Sequence, residues 1–169
     1  MRGAVALFLT LYILRALVAE VNSALSGFHV WLFAGGLFVA YSALAMPFRS
    51  GFAASVLGGL LCDSVSPVAF GTHAALFGAA HAIVFNVRER LQRDETVVRV
   101  VVALLVNLTL FIALSLLRVK SPHLGAGAWP RLFSDLAWSQ VALALAAPWF
   151  FALQLRTLEL ARAKPSRMA

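Results

Sequence analysis

The chain has 169 residues, of which 62% are hydrophobic and 12% charged, and its mean hydropathy is +0.88. Soluble domains carry about 25% charged residues, so this composition excludes an ordinary soluble domain and indicates lipid as the main solvent. The single cysteine, Cys62, excludes an internal disulfide. The net charge of +7 does not indicate nucleic-acid binding, because the basic residues gather at the ends of apolar segments, where they orient helices and meet anionic lipid headgroups.

Six apolar segments follow one another along the chain, and a helix that crosses a bilayer needs about 20 mainly apolar residues. The predicted spans are residues 3–19, 28–46, 51–66, 72–87, 97–117 and 134–155. Arg15 interrupts the first segment and no cleavage site followed by a soluble domain is present, so a cleavable signal peptide is not expected. The sequence predicts one all-α domain over residues 1–169, with six transmembrane helices and a basic tail at 161–169.

The distribution of Lys and Arg predicts the orientation, because these residues favour the cytoplasmic side of a membrane. With six spans and the N-terminus inside, ten of them lie in the cytoplasm, three lie outside, and Arg15 lies within a span. The cytoplasmic set is Arg2, Arg49, Arg88, Arg90, Arg93, Arg99, Arg156, Arg162, Lys164 and Arg167, and the outer set is Arg118, Lys120 and Arg131. Both termini are therefore expected in the cytoplasm.

Residues 51–81 interrupt the apolar pattern in an informative way. A Gly-rich segment ends at Asp63, and Gly71 opens the next apolar segment. A helix over residues 51–62 rises only about 18 Å, against a hydrocarbon core of about 30 Å. Either the helix continues to Ser66, or the chain turns below the outer surface, where neighbouring protein must cover it. The apolar residues of this turn favour the second alternative.

Asp63 has two interpretations in this setting. Its carboxylate can cap the turn by accepting backbone N–H bonds from the residues that follow it. Alternatively, it pairs with Arg15 of the first span, where an unpaired charge would cost a few kcal/mol. Arg15 has further alternatives, since it can extend outward to the headgroups or pair with Glu20. Capping is the favoured interpretation, with the Arg15–Asp63 pair as a hypothesis added to it.

Two more polar residues share one depth in the predicted bilayer. His81 lies ten residues into the fourth span and Asn107 ten residues into the fifth, so both are about 15 Å deep. Because these spans are antiparallel neighbours, a His81–Asn107 hydrogen bond of about 0.6 kcal/mol is a hypothesis. The alternative is that another group or a water molecule binds His81.

Small residues recur at every fourth position on the third and fourth spans. They are Gly51, Ser55 and Gly59 on the third span, with Ala54 and Gly58 adjoining, and Gly71, Ala75 and Ala79 on the fourth, with Ala74 and Gly78 adjoining. This spacing lets helix backbones approach closely in lipid, so it predicts tight packing of these two spans, with partner binding as a secondary interpretation. No catalytic motif or metal-ligand spacing accompanies it, and we expect no catalysis, cofactor or metal.

The run GGLLCDSVSPVAFGTHA, at residues 58–74, resembles the turn motif of the rod shape-determining membrane protein family MreD. The residues that carry this resemblance are Gly58, Gly59, Asp63, Ser66, Gly71 and Pro148. The similarity continues through an arginine-rich loop containing Arg88, Arg90 and Arg93. Pro67 departs from the family pattern, which usually has glycine after the serine.

The resemblance implies a non-enzymatic scaffold subunit of the bacterial cell-elongation complex in the cytoplasmic (inner) membrane. It implies binding to a bitopic MreC-like protein, within a wider complex of RodA, penicillin-binding protein 2 and the MreB filament that couples the cytoskeleton to lateral peptidoglycan synthesis. It also implies a fold similar to the substrate-binding subunits of energy-coupling-factor (ECF) transporters. Arg88, Arg90 and Arg93 would contact anionic lipid or an acidic partner, or serve only as topology determinants.

Two other classes of protein stay open. A small-molecule (vitamin-type) binding subunit of a transporter would line a cavity with polar groups from several spans, and the chain offers few on the outer side. An intramembrane hydrolase would need a second acid or a serine near Asp63 or His81. The scaffold is the favoured interpretation.

Overall fold

The computed structural model describes residues 2–28, 31–66, 68–91, 95–119 and 128–162. These residues form six α-helices and two short 3₁₀ turns, and they include no β-strand. The helices are α1 (Arg2–Leu25), α2 (Gly35–Ala45), α3 (Phe48–Asp63), α4 (Thr72–Val87), α5 (Thr96–Val119) and α6 (Ala128–Arg162). The all-α prediction is confirmed. Most of the predicted basic tail lies outside the described residues.

Two helices contain stretches that are long and apolar enough to cross a membrane. They are Thr96–Leu117 in α5 and Trp129–Gln154 in α6. Helix α2 is also apolar, but its 11 residues rise only about 16 Å. Length and composition therefore give evidence of a membrane protein through two of the described helices.

Several helix bounds differ from the predicted spans, because the hydropathy of a segment does not show where its backbone is helical. The segment predicted over residues 28–46 becomes helical only at Gly35, and residues 31–34 are irregular. Helix α3 begins earlier than predicted, directly after Pro47, and ends at Asp63, so it does not continue to Ser66. Helix α6 is longer than the predicted 134–155 because its polar ends are also helical. The bounds of α4 agree with the predicted 72–87.

Helix α2 forms the centre of the bundle and packs against α3, α4, α5 and α6. All residues from Gly36 to Leu44 are buried. The ring of Tyr41 meets the edge of the Phe150 ring at 6.0 Å and lies 5.9 Å from that of Phe151. A helix that is apolar on every side is stable only when neighbours enclose it, and the surrounding helices supply that enclosure.

Helices α3 and α4 form an antiparallel hairpin with close backbone contact. An added Cβ on Gly59 would overlap the Cα of Ala74, and one on Gly51 would lie 2.6 Å from Cε1 of His81. The small residues of the third span therefore face α4, as their spacing predicts. The predicted tight packing of the two spans is confirmed, and the adjoining Ala74 and Gly78 lie in the contact, whereas Ala75 and Ala79 are exposed and do not take part in it. Ala74, Gly78 and His81 form the α4 side of the contact.

We expect the substitution Gly59→Ala to lower the free energy of unfolding by about 1–3 kcal/mol, because its methyl group has no room against Ala74. The matched control is Gly27→Ala, where an added Cβ meets nothing within 4 Å. Unfolding of both variants in detergent micelles measures the difference. Equal stability of Gly59→Ala and the unmodified protein would contradict this helix packing.

Candidate functional site

The carboxylate of Asp63, at the end of α3, binds the start of α4. Its Oδ2 accepts the backbone N–H groups of Gly71 at 3.0 Å and Ala74 at 3.2 Å, and its Oδ1 accepts that of His73 at 2.9 Å. The first turn of a helix has such N–H groups without intrahelical partners, and a negative charge there is favourable. Asp63 therefore caps α4 across the turn, in agreement with the favoured interpretation.

The imidazole of His73 adds a side-chain bond to this cap. His73 Nδ1 lies 2.8 Å from Asp63 Oδ1, and both residues are buried. An ionised carboxylate only accepts hydrogen bonds, so His73 Nδ1 carries the proton and donates it. The sequence does not predict this contact, although an acid that ends one helix and a histidine in the first turn of the next are its signal.

The other residues of the family motif shape the same turn. Gly71 has φ +95°, a left-handed conformation that glycine adopts without steric cost. Gly58 and Gly59 are buried in the hairpin. The Ser66 hydroxyl is enclosed and makes no hydrogen bond to the part of the chain that the structure describes, while its backbone N–H donates to the Asp63 carbonyl at 3.3 Å. Pro67 lies outside the described residues.

The predicted pair of Arg15 and Asp63 is wrong. Arg15 Nη1 instead donates to the backbone carbonyl of Leu61 at 2.9 Å, in the last turn of α3. That carbonyl also accepts the hydroxyl of Ser64 at 2.8 Å, and a cation near the C-terminal end of a helix is favourable. The carboxylate of Asp63 is already occupied by its bonds to the start of α4. The alternative partner Glu20 makes no ion pair with Arg15 among the described contacts.

The predicted His81–Asn107 hydrogen bond is also wrong. His81 Nδ1 lies 3.1 Å from the hydroxyl of Ser42 and 3.2 Å from that of Ser55, and the two hydroxyls are 2.8 Å apart. The three side chains join α2, α3 and α4 at one point. The sequence predicts the same depth for His81 and Asn107, but their side chains face different neighbours and therefore do not meet.

The serine–histidine cluster, formed by Ser42, Ser55 and His81, is completely buried, and phenylalanine rings surround it. The rings of Phe48, Phe52 and Phe85 have centroids 5.8 to 6.1 Å from the His81 ring. His81, Ser42 and Ser55 are each 0% exposed. A serine near His81 is the feature that a hydrolase would need, but in this conformation neither water nor a substrate reaches these groups. The cluster acts as a contact between helices.

The irregular residues 31–34 are bound at their N-terminal end by α1 and α6. The side-chain amide of Asn22 accepts the N–H of Leu32 at 2.7 Å and donates to its carbonyl at 2.9 Å. Asp135 Oδ1 accepts the N–H of Trp31 at 2.9 Å. Neither Asn22 nor Asp135 was identified from the sequence, because each lies near the end of an apolar segment and resembles an ordinary boundary residue.

The C-terminal end of the same segment, together with the start of α2, is bound by α5 and α6. The Ser139 hydroxyl accepts the N–H of Phe33 at 3.0 Å, and Asn107 Oδ1 accepts the N–H of Gly36 at 3.1 Å. Gly36 is required here, because an added Cβ would overlap the backbone of Asn107. We call Asn22, Asn107, Asp135 and Ser139 the clamp. The clamp binds backbone groups that an α-helix would have paired internally.

The arginines predicted as one basic surface have separate positions. Arg88 Nη1 donates to the carbonyls of Ala43 at 3.2 Å and Met46 at 2.9 Å, at the end of α2. Its guanidinium carbon lies 3.6 Å from the centroid of the Phe85 ring. Arg88 therefore caps the end of α2, a contact that the sequence does not predict. Arg90 is exposed, and Arg93 lies outside the described residues.

Comparison with known proteins identifies no relative of this chain. No protein-family model, no characterised protein and no solved structure matches the chain. Among the described residues, no group of three or more His, Cys, Asp or Glu side chains could hold a metal ion. The observations define an all-helical protein with two helices able to cross a membrane, whose helix ends are bound by buried polar side chains.

Replacing Asp63 by alanine should lower the free energy of unfolding by about 2–4 kcal/mol, since α4 loses its cap and buried N–H groups lose their acceptor. The matched control is Ser64→Ala, which removes one exposed hydroxyl bond to Leu61 and should cost at most about 0.5 kcal/mol. Unfolding in detergent provides both values. A double-mutant cycle should show coupling of Asp63 with His73 and additivity with Arg15; the reverse pattern would contradict the assigned contacts.

Proposed function

We propose that the chain is a non-enzymatic membrane scaffold that binds a single-span partner protein. The proposed protein crosses the bacterial cytoplasmic membrane six times and has both termini in the cytoplasm. The proposed setting is the cell-elongation complex, with an MreC-like partner and, more distantly, RodA, penicillin-binding protein 2 and MreB. The proposal depends on the distribution of polar and apolar side chains described next.

The observation that carries the proposal is an apolar outer surface around an interior that also holds buried acids and a buried histidine. Large apolar side chains are exposed on every helix except the central α2, up to 73% for Leu145 and 81% for Trp149. The acids Asp63 and Asp135 and the imidazole of His81 are buried. A soluble monomer rarely exposes contiguous apolar surface of this extent, whereas lipid accepts it without cost.

Helix lengths are compatible with six crossings once the irregular segment is included. The 24 residues of α1 and of α5 rise about 36 Å each. Helix α2 rises about 16 Å, and the four residues 31–34 add up to about 13 Å when extended. Together they approach the hydrocarbon thickness of about 30 Å. The clamp makes this crossing possible, because irregular backbone at membrane depth needs protein partners for its polar groups.

The proposed orientation has support from charge. Arg49, Arg90 and Arg156 are exposed near the ends of α3, α4 and α6 that the six-span topology assigns to the cytoplasm. Ten Lys or Arg residues belong to that side and three to the other. Such an excess marks the cytoplasmic face. The exposed arginines are available to anionic lipid or to an acidic surface of a partner.

The link to the elongation complex has its support in the turn motif. The motif residue Gly59 gives the α3–α4 hairpin its close contact, and Asp63 and Gly71 give it its cap and its turn. A motif with this role maintains the conformation of the hairpin, which a binding subunit needs. None of its described side chains is assigned a catalytic role. The buried serine–histidine cluster is the observation that would favour a hydrolase, but its complete burial weighs against that function.

The test is co-purification with an MreC-like bitopic protein encoded beside or near this chain in the same genome. We expect the partner to stay bound through affinity capture in mild detergent and size-exclusion chromatography. A bitopic protein of unrelated sequence, carrying the same tag, is the control. Loss of the partner from a folded, monodisperse sample would contradict the scaffold proposal, and stable capture of a vitamin-sized molecule would favour the transport subunit instead.

A further inference from the structure

The turn that joins α3 and α4 presents apolar side chains outward. We call residues 64–71 the hairpin tip, of which Pro67 lies outside the described residues. Val65 is 68% exposed and Phe70 is 73% exposed. The described residues leave these two side chains largely uncovered, while Asp63 and the Ser66 hydroxyl of the same turn are enclosed, so protein covers this turn only in part. Large apolar groups in an exposed turn have no benefit in water, and their presence needs a reason.

Three polar side chains at or beside the tip, those of Ser64, Thr72 and Asp63, bond back into the turn, whereas the enclosed Ser66 hydroxyl makes no hydrogen bond to the described residues. The Ser64 hydroxyl donates to the carbonyl of Leu61 at 2.8 Å, and the Thr72 hydroxyl donates to that of Ala69 at 2.6 Å. Asp63 accepts the N–H groups at the start of α4. These side chains therefore do not need water as a hydrogen-bond partner. This is the arrangement that a turn requires where water is scarce.

The opposite end of the same hairpin has the reverse character. There Arg49, Glu89 and Arg90 are exposed. The two ends of one hairpin thus present charged groups on one side and apolar groups on the other. A hairpin with both ends in water would have no reason for this difference, whereas one anchored by charge at one membrane surface would show it.

The length of the hairpin agrees with this asymmetry. Helices α3 and α4 have 16 residues each and rise about 24 Å. The hydrocarbon core is about 30 Å thick. If the charged end lies at the cytoplasmic surface, the helical part of the hairpin ends about 6 Å short of the opposite surface. A short apolar segment is accommodated by local thinning of the bilayer.

From these observations we propose that the hairpin tip is a lipid-binding surface, in which Val65 and Phe70 insert among the acyl chains of the outer leaflet. The tip lies at the boundary between headgroups and acyl chains, where its remaining backbone carbonyls reach polar headgroups. This inference rests on the proposed six-span topology. It assigns the tip to lipid and leaves no exposed site there for an outer partner domain.

Site-directed spin labelling in vesicles of phosphatidylethanolamine and phosphatidylglycerol tests the inference. The background carries Cys62→Ala, and nitroxides are attached at Val65→Cys and, separately, Phe70→Cys. Collisions with oxygen report lipid, and collisions with a water-soluble nickel chelate report solvent. The lipid reference is Leu105→Cys, exposed on α5, and the solvent reference is Arg90→Cys. Both tip labels should collide with oxygen more often, and with nickel less often, than the Arg90 label, and their values should lie between those of the Arg90 and Leu105 references, as expected at the boundary between headgroups and acyl chains.

Two outcomes overturn the inference. Nickel collisions at both tip positions as frequent as at the Arg90 position would place the tip in water. Shielding of both labels from oxygen and from nickel would indicate a protein cover, such as a second copy or a partner. A water-exposed label at the Leu105 position would contradict the six-span proposal itself, so failure of the topology and failure of the tip assignment are distinguishable.

Discussion

The architecture depends on hydrogen bonds from side chains to backbone N–H and C=O groups at buried helix ends. These backbone groups have no partner within their own helix. Leaving one buried polar group unpaired costs about 1–3 kcal/mol, and lipid offers no replacement. Asp63 accepts the first N–H groups of α4, and Arg88 donates to the last carbonyls of α2. The clamp does the same for residues 31–34. Each polar side chain thereby fixes the end of a helix that another element must pack against.

This constraint also explains the proposed function. Among the described residues, the two histidines are occupied by other side chains, His73 by Asp63 and His81 by Ser42 and Ser55. What the described chain offers to its surroundings is apolar surface with a charged margin. Such a surface is compatible with contacts made in the plane of a membrane, as the proposed scaffold requires.

Apolar length located the helices well, because α4 over residues 72–87 and most of α5 follow directly from hydropathy. It could not show that residues 31–34 are irregular, since Trp31, Leu32 and Phe33 are as apolar as a helix requires. Charge pairing was predicted from side chains alone, yet Arg15 binds a backbone carbonyl, which every residue has and no sequence pattern marks. Equal depth suggested that His81 meets Asn107, but the direction of each side chain depends on helix rotation, which depends on packing.

Amide hydrogen exchange in lipid nanodiscs tests the central claim that side chains replace the missing helical hydrogen bonds. The amides of Leu32, Phe33, His73 and Ala74 should exchange as slowly as those inside α5. In the Asp63→Ala variant, only the amides at the start of α4 should lose this protection, while those of residues 31–33 keep it. Rapid exchange at these positions in the intact protein would contradict the account.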